Sequence, residues 1–334
     1  MRLVHPRRAL APALDRAGLL PALLRRGRGW RGVLVLAYHR VVEAPGPRAF
    51  RGVWSTDPAG FAAQLDVLAE HCEVVPIEDV PRYHGVRGRR VAITVDDCYV
   101  DSYAVMFPAL RARGMPAAFF LPSGIIDRRV VAFWDQVAWL GGGLPEDERL
   151  PEDELVAAYG ALRHDQQAGF LDDLAARSRR EPLTPAMVDD DWMTWDMARE
   201  MAAAGMTIGG HTDSHPILSR LPVAEQRREI ALGVERIADE LGERPTTFAY
   251  PVGGPAAFGP ETAAIVRELG LVGYSIYGRP AGGGAWDPAN ARRVAIDGDA
   301  TNVRAIVGLP TVFAVPWPPP ALVRRSASTR RTPA

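Results

Sequence analysis

Apolar positions along this chain follow two periods that alternate. Short continuous apolar runs occur at 33–41 (VLVLAYHRV), 91–95 (VAITV), 117–121 (AAFFL), 206–210, 247–250 and 271–276, with a shorter pair at 73–77 and 293–296. Runs of this length, bounded by turn residues and free of polar alternation, read as strands covered on both faces. Between them lie segments of helical period. Phe61, Leu65 and Leu68 share a face over 61–70, with Thr56 or Asp57 as cap and Pro58 at an early helical position. A helix follows Asp101 and ends near Gly114, another covers 195–204, and 222–241 carries Ile230, Val234, Ile237 and Leu241 before Gly242. Segments 261–269 and 301–309 complete the set. Alternation of strand and helix predicts a parallel sheet wound by right-handed crossovers. About seven strands suit a barrel, although pattern alone does not separate a barrel from an open doubly wound sheet.

Three stretches depart from this rhythm. Residues 1–30 place leucines among arginines, interrupted by Pro12 and Pro21. That extension reads as a segment packed on the domain or as a basic amphipathic helix making peripheral contact with a membrane surface. Residues 125–190 are helical and acidic without an apolar strand, and read as an insertion near the mouth of the fold, opened by Phe133-Trp134-Asp135. From 316 to 334, Pro, Arg, Ser and Thr dominate without periodicity, which predicts a disordered tail. The main domain is therefore expected over 31–315.

Composition narrows the class. Of 334 residues 47% are hydrophobic and 24% charged, an ordinary globular balance, and the net charge of -1 gives no reason to expect nucleic-acid binding. All 39 basic residues are arginine, which we read as compositional habit. Two cysteines, Cys72 and Cys98, form neither a disulfide framework nor a zinc ribbon. With no convincing signal peptide and no apolar run long enough to span a bilayer, a cytoplasmic address is the expectation.

The candidate chemistry sits at strand ends. VAITV stops at Asp96-Asp97, and ligands in parallel α/β folds sit at the carboxyl ends of strands. Adjacent carboxylates resist burial unless a cation or a proton relieves them. Capping of the next helix is the competing reading, though it needs only one Asp. The strand at 206–210 then delivers His211 and His215, four apart, in a chain with seven histidines. Pro216 fits the first position of a following helix, which would fix His215 at its edge. Two imidazoles and a carboxylate are an ordinary zinc ligand set with an open position for water, and also suit cobalt, nickel or iron.

These pieces resemble the polysaccharide deacetylase family, the NodB-homology carbohydrate esterases. TVDDCYVD is similar to its T-F-D-D-G motif, HTDSHP to H-[ST]-x-x-H-P, and Phe248-Ala249-Tyr250-Pro251-Val252-Gly253 to F-A-Y-P-Y-G. Leu36-Ala37-Tyr38-His39-Arg40-Val41 resembles the Y-H-R-V opening of the subfamily acting in exopolysaccharide pathways, and order and spacing match from about residue 33 to 310. The resemblance implies a distorted (β/α)7 barrel. It implies Asp97, His211 and His215 as metal ligands, Asp96 as general base and the backbone N–H of Val252 as oxyanion donor. Tyr99 and Asp101 match positions beside the first motif, structural or substrate-contacting; Tyr250 and Pro251 belong to the third motif, with Pro251 stiffening its turn.

Departures from the family pattern matter too. Cys98 replaces the usual Gly, at a cost of about 1 kcal/mol or more if the position needs positive φ. Ala249 stands where many members have an Arg paired with the base, a charge Arg293 could supply. No His follows His215, so the general acid falls to His39, to Asp96 after it has taken a proton, or to solvent.

The expected function is divalent-metal-dependent removal of N-acetyl groups from N-acetylhexosamine residues of a glycan or glycan precursor. A glycan-binding protein without turnover and a metal-dependent amidase acting on a non-sugar amide are the rivals. The second would show an apolar pocket without stacking aromatics. A two-carboxylate glycosidase would leave the histidine pair unexplained.

Overall fold

The computed structural model describes residues 10–27, 29–277 and 286–313. The predicted tail at 316–334 and the first nine residues lie outside them. Seven parallel strands form a closed barrel: β1 (Val33–Tyr38), β2 (Arg90–Asp96), β3 (Ala117–Leu121), β4 (Thr207–Gly210), β5 (Thr247–Ala249), β6 (Val272–Ser275) and β7 (Ala291–Ala295). Each strand pairs with the next, and β7 pairs with β1 to close the ring. β1 lies beside β7 with Val35 opposite Arg293, and beside β2 with Leu36 opposite Ile93. The strand expected at 73–77 shortens to Glu73–Val74, which pairs with the first residues of β2.

Side-chain parity divides the core in two. Val33, Val35, Ala92, Ala118, Phe120, Ala249, Tyr274 and Ala291 fill the barrel interior. The alternate residues Leu34, Leu36, Ile93, Val95 and Phe119 pack outward against the helical layer, including Phe61, Leu65 and Leu68. Gly209 lacks a side chain because a Cβ there would stand 2.6 Å from the Phe120 ring.

Helices surround the barrel. α1 (Ala11–Arg16) and α2 (Leu19–Arg26) pack their buried Ala11, Leu20 and Leu24 on the domain, and Asp15 pairs with Arg304. Pro12 and Pro21 sit in the first turns of these helices, where a missing N–H costs nothing, so they start the helices that their presence seemed to interrupt. α3 (Pro58–His71) follows β1; Asp57, not Thr56, is its cap, accepting a hydrogen bond from Gly60 N–H. After β2 a π-helical turn at Ser102–Met106 leads into α4 (Phe107–Arg111). The insertion contributes α5 (Phe133–Gly141), α6 (Glu152–Ala161) and α7 (His164–Arg177). α8 (Trp195–Ala203), α9 (Val223–Leu241), α10 (Pro260–Glu268) and α11 (Ala300–Gly308) complete the layer. Gly242 ends α9 with a φ of 74°, the left-handed closure expected there. Among the described residues no helix is long and apolar enough to cross a membrane.

One expectation is corrected. Pro216 does not open a helix; the chain stays irregular until a single turn at Leu218–Arg220. His215 is instead held by its own backbone, whose N–H donates to Thr212 Oγ1 at 3.0 Å.

Replacing Asp57 by Ala removes the α3 cap and should lower stability by about 1 kcal/mol. A urea titration should then show an earlier midpoint at an unchanged m-value.

Candidate active site

Parity carries the chemistry to the barrel mouth. Ala92, Thr94 and Asp96 face inward on β2, and Arg293 faces inward on β7. The Arg293 guanidinium donates to both oxygens of Asp96, at 2.6 and 2.8 Å, and to Thr94 Oγ1 at 3.1 Å. Both side chains are buried. Burial alone would raise the Asp96 carboxyl; the guanidinium outweighs it and holds the group below the ordinary carboxylate range. His39, at the end of β1, brings Nε2 to 4.0 Å from Asp96 Oδ2.

Asp97 turns the chain at a φ of 67°, so that both neighbouring carboxylates line the cavity. Neither caps the next helix. Asp97 Oδ1 lies 3.5 Å from His211 Nε2 and 3.3 Å from His215 Nε2, and the two imidazole nitrogens are 3.1 Å apart. His211 Nδ1 is 2.7 Å from the Ala249 carbonyl oxygen. A carbonyl only accepts, so Nδ1 carries the proton and Nε2 presents a lone pair toward Asp97. Buried acceptors converging on one point need a cation or a shared proton. These three residues thus form a donor set whose ligand atoms lie within 4.8 Å of one another, able to hold a metal ion. Among the described residues His215 Nδ1 has no hydrogen-bond partner, unlike the outer nitrogen of His211.

The other predicted positions separate into two groups. Val252 lines the cavity, at a φ of 63° that a β-branched residue rarely adopts. Tyr99, Asp101, Tyr250 and Pro251 do not line it. Asp101 accepts from Arg40 Nε and Val41 N–H, and Tyr99 stacks on Trp192 with Arg40 over its ring. Tyr250 donates to the Ala289 carbonyl and stacks on Phe258. Cys98 adopts a φ of 57°, the strained conformation anticipated for a residue in a glycine's place. Its thiol approaches the Phe120 carbonyl and lies outside the donor set; burial first, then the neighbouring aspartates, push its pKa well up, which disfavours a thiolate ligand.

Sequence reasoning missed much of the wall. Phe50 and Trp54 come from the segment after β1, and Val156 comes from α6. Phe133 and Trp134 line the same cavity, and the Trp134 ring packs 4.4 Å from that of His215. Trp134 is buried as an aromatic core anchor would be, and it also forms wall. Asp297 lines the cavity as well, and its signal was available: it continues the inward parity of Arg293 and Ala295 past the end of β7. Asp135 is a further surprise. Its carboxylate accepts from Phe50 N–H and Tyr99 O–H, both at 2.7 Å, joining the insertion to the first motif and to the wall. Burial outweighs those two hydrogen bonds and pushes its pKa up to about 7.

With this geometry in view, the sequence can be placed. The polysaccharide deacetylase family profile matches residues 84–274, more than half of the chain. The chain belongs to the polysaccharide deacetylase family. It is accordingly a hydrolase acting on carbon–nitrogen bonds other than peptide bonds. No curated protein matches it. Among solved structures it is similar to IcaB from Ammonifex degensii, at 21% identity and a TM-score of 0.57, covering 84% of this chain and 98% of that one. It is similar also to the Streptococcus pyogenes deacetylase PplD in complex with acetate, at 18% identity and a TM-score of 0.54, covering 79% and 92%. A third is the Bacillus anthracis polysaccharide deacetylase homologue BA0330, at 14% identity and a TM-score of 0.55, covering 83% and 69%. At these identities the likeness is one of fold.

Two of the buried carboxylates, Asp135 and Asp96, give opposite pH signatures in this deacetylase-family protein. Asp135 binds its proton more tightly folded than unfolded. Its contribution is full below the ordinary carboxylate range and is lost as pH rises through about 7. Between pH 5 and 7 the native protein should lose up to about 1.4 kcal/mol more per pH unit than Asp135→Asn, measured by urea unfolding. Asp96, held low by Arg293, stabilises above the ordinary carboxylate range and loses that effect as pH falls. Arg293→Leu should therefore cost about 3–5 kcal/mol near pH 7 and less at pH 4, where protonation relieves the stranded carboxylate.

Proposed function

We propose that this protein is a divalent-metal-dependent deacetylase acting on N-acetylhexosamine residues of a glycan or glycan precursor. The observation that carries the reading is the convergence of Asp97, His211 and His215 beside a buried Asp96–Arg293 pair in one aromatic-walled cavity. The donor set fits zinc best on ligand type. A bound divalent ion would supply Lewis acidity, lowering the pKa of a water and polarising the amide carbonyl.

The chain's own residues do the rest. Asp97, His211 and His215 would hold the ion. Asp96, kept ionised by Arg293, accepts the proton of the attacking water as general base. His39, whose Nε2 lies 4.0 Å from Asp96 Oδ2, delivers a proton to the departing amine. The backbone N–H of Val252 supplies a donor to the developing oxyanion, and a backbone donor is indifferent to the loss of the usual tyrosine. Trp54, Phe133 and Trp134 provide faces against which a sugar ring stacks, which favours a sugar over a non-sugar amide. The proximity of His39 to Asp96 weighs against a binding protein that lacks an acid.

Acetate release from N-acetylglucosamine oligomers tests the reading. It should require added zinc or cobalt, stop with chelator, and fall at least a hundredfold in Asp96→Asn and His211→Ala. His39→Ala should slow acetate release about a hundredfold while zinc affinity stays native. An unchanged rate removes His39 from the reaction. Bound metal without acetate release from any acetylated sugar sinks the deacetylase reading in favour of a glycan-binding or amidase role.

A further inference from the structure

We propose that Asp213 and Arg129 form a positioning pair for the histidine loop, so that the chain entering the insertion is part of what holds His211 and His215 together. This rests on the reading of those two histidines as ligands. The loop 211–215 is strained: Thr212 has a φ of 65° and His215 a φ of 58°, both outside the region that side chains prefer. Such residues cost about 1–3 kcal/mol each and persist only where the surroundings over-determine them.

Contacts from two directions do so here. From α9, the Glu229 carbonyl accepts Asp213 N–H at 3.0 Å, and its carboxylate accepts both Ser214 N–H and Ser214 Oγ–H at 2.9 Å. From the turn after β3, Ser123 N–H and Gly124 N–H donate to the carbonyls of Thr212 and Asp213 at 3.2 and 2.8 Å. The fit is flush, since a Cβ on Gly233 would stand 2.6 Å from the Thr212 carbonyl.

The Asp213 side chain joins the two directions. Oδ1 accepts from Ser123 Oγ at 2.6 Å and from Arg129 Nη2 at 2.5 Å, and Oδ2 accepts from Arg129 Nη1 at 3.0 Å. A two-pronged guanidinium contact fixes direction as well as distance. Arg129 in turn reaches Asp127, which accepts from Arg236 on α9 and from Trp195 at the start of α8. Asp213 itself does not line the cavity, so it touches no reacting group. Its effect on the site passes through the separation and direction of the two imidazoles. The Arg129 side chain is 51% exposed, so the pair acts as a brace and adds little stability on its own.

Zinc titration of the full-length protein against a chelating chromophore tests this. Asp213→Ala should bind zinc about 10–100-fold more weakly. Arg129→Ala should lose a smaller part of that, Arg129→Lys should recover some, and the double variant should be no weaker than Asp213→Ala alone. Asp213→Asn, which keeps the size and one acceptor, serves if the alanine variant does not fold, and circular dichroism checks each protein. Folded variants with native zinc affinity overturn the proposal while leaving the ligand set intact. A native protein that binds no zinc overturns the ligand reading, and this inference with it.

Discussion

A guanidinium with no exposed surface sets the terms for the barrel. Arg293 points into an interior otherwise filled by valines, alanines, Phe120 and Tyr274, and its charge lies 5.3 Å from the Phe120 ring. Nothing apolar can compensate a buried cation, so Asp96 must be ionised and both of its oxygens engaged. Replacing such a pair with well-packed hydrophobic residues is often neutral or stabilising, so stability alone gives no reason to keep it. What the pair does supply is a carboxylate kept charged at the edge of the cavity by a partner of fixed geometry. Thr94, two residues earlier on the same inward face, completes the cradle by accepting from the same guanidinium.

Strain gathers at the same end of the barrel. Six non-glycine residues among those described have positive φ, and Asp97, Cys98, Thr212, His215 and Val252 all lie in segments that follow β2, β4 and β5 at the mouth. A strand that ended in relaxed geometry would alternate its side chains, sending one of two neighbouring carboxylates outward. The turn at Asp97 defeats that alternation and lets consecutive residues serve one cavity. Cys98 bears the cost that glycine would avoid, and its burial and contact with the Phe120 carbonyl keep it in place.

Local pattern revealed the strands and the groups at their ends, because buried parallel strands are continuous apolar runs and parity follows from counting; closure into a barrel came only from the family resemblance. Arg293 was legible as a substitute for the charge missing at Ala249, and it falls on Asp96. The cavity wall was not legible. Phe50, Trp54, Phe133 and Val156 are apolar residues in irregular, helical or short outlying strand segments, and nothing in their spacing distinguishes a wall from a core. Asp135 was hidden in the same way, since its partners Phe50 and Tyr99 lie 85 and 36 residues away in sequence. Pro216 misled because a proline after a strand end suits a helix start, whereas the hydrogen bond from His215 N–H to Thr212 decides the local path.

In the proposed reaction, closure of the sheet lets a residue at the end of the first strand stand in for a histidine after His215. In an open sheet the first and last strands are far apart, and a group lost from the end of the chain could not be replaced from its beginning. Here β1 pairs with both β7 and β2, so residues leaving β1 and residues on β7 meet over the same carboxylate. His39 approaches Asp96 from one strand and Arg293 from the other. In the proposed reaction the first strand therefore gives the proton, the last holds the base ionised, and the second carries the base between them. Chain order places no constraint on which strand supplies the acid; adjacency around the ring does.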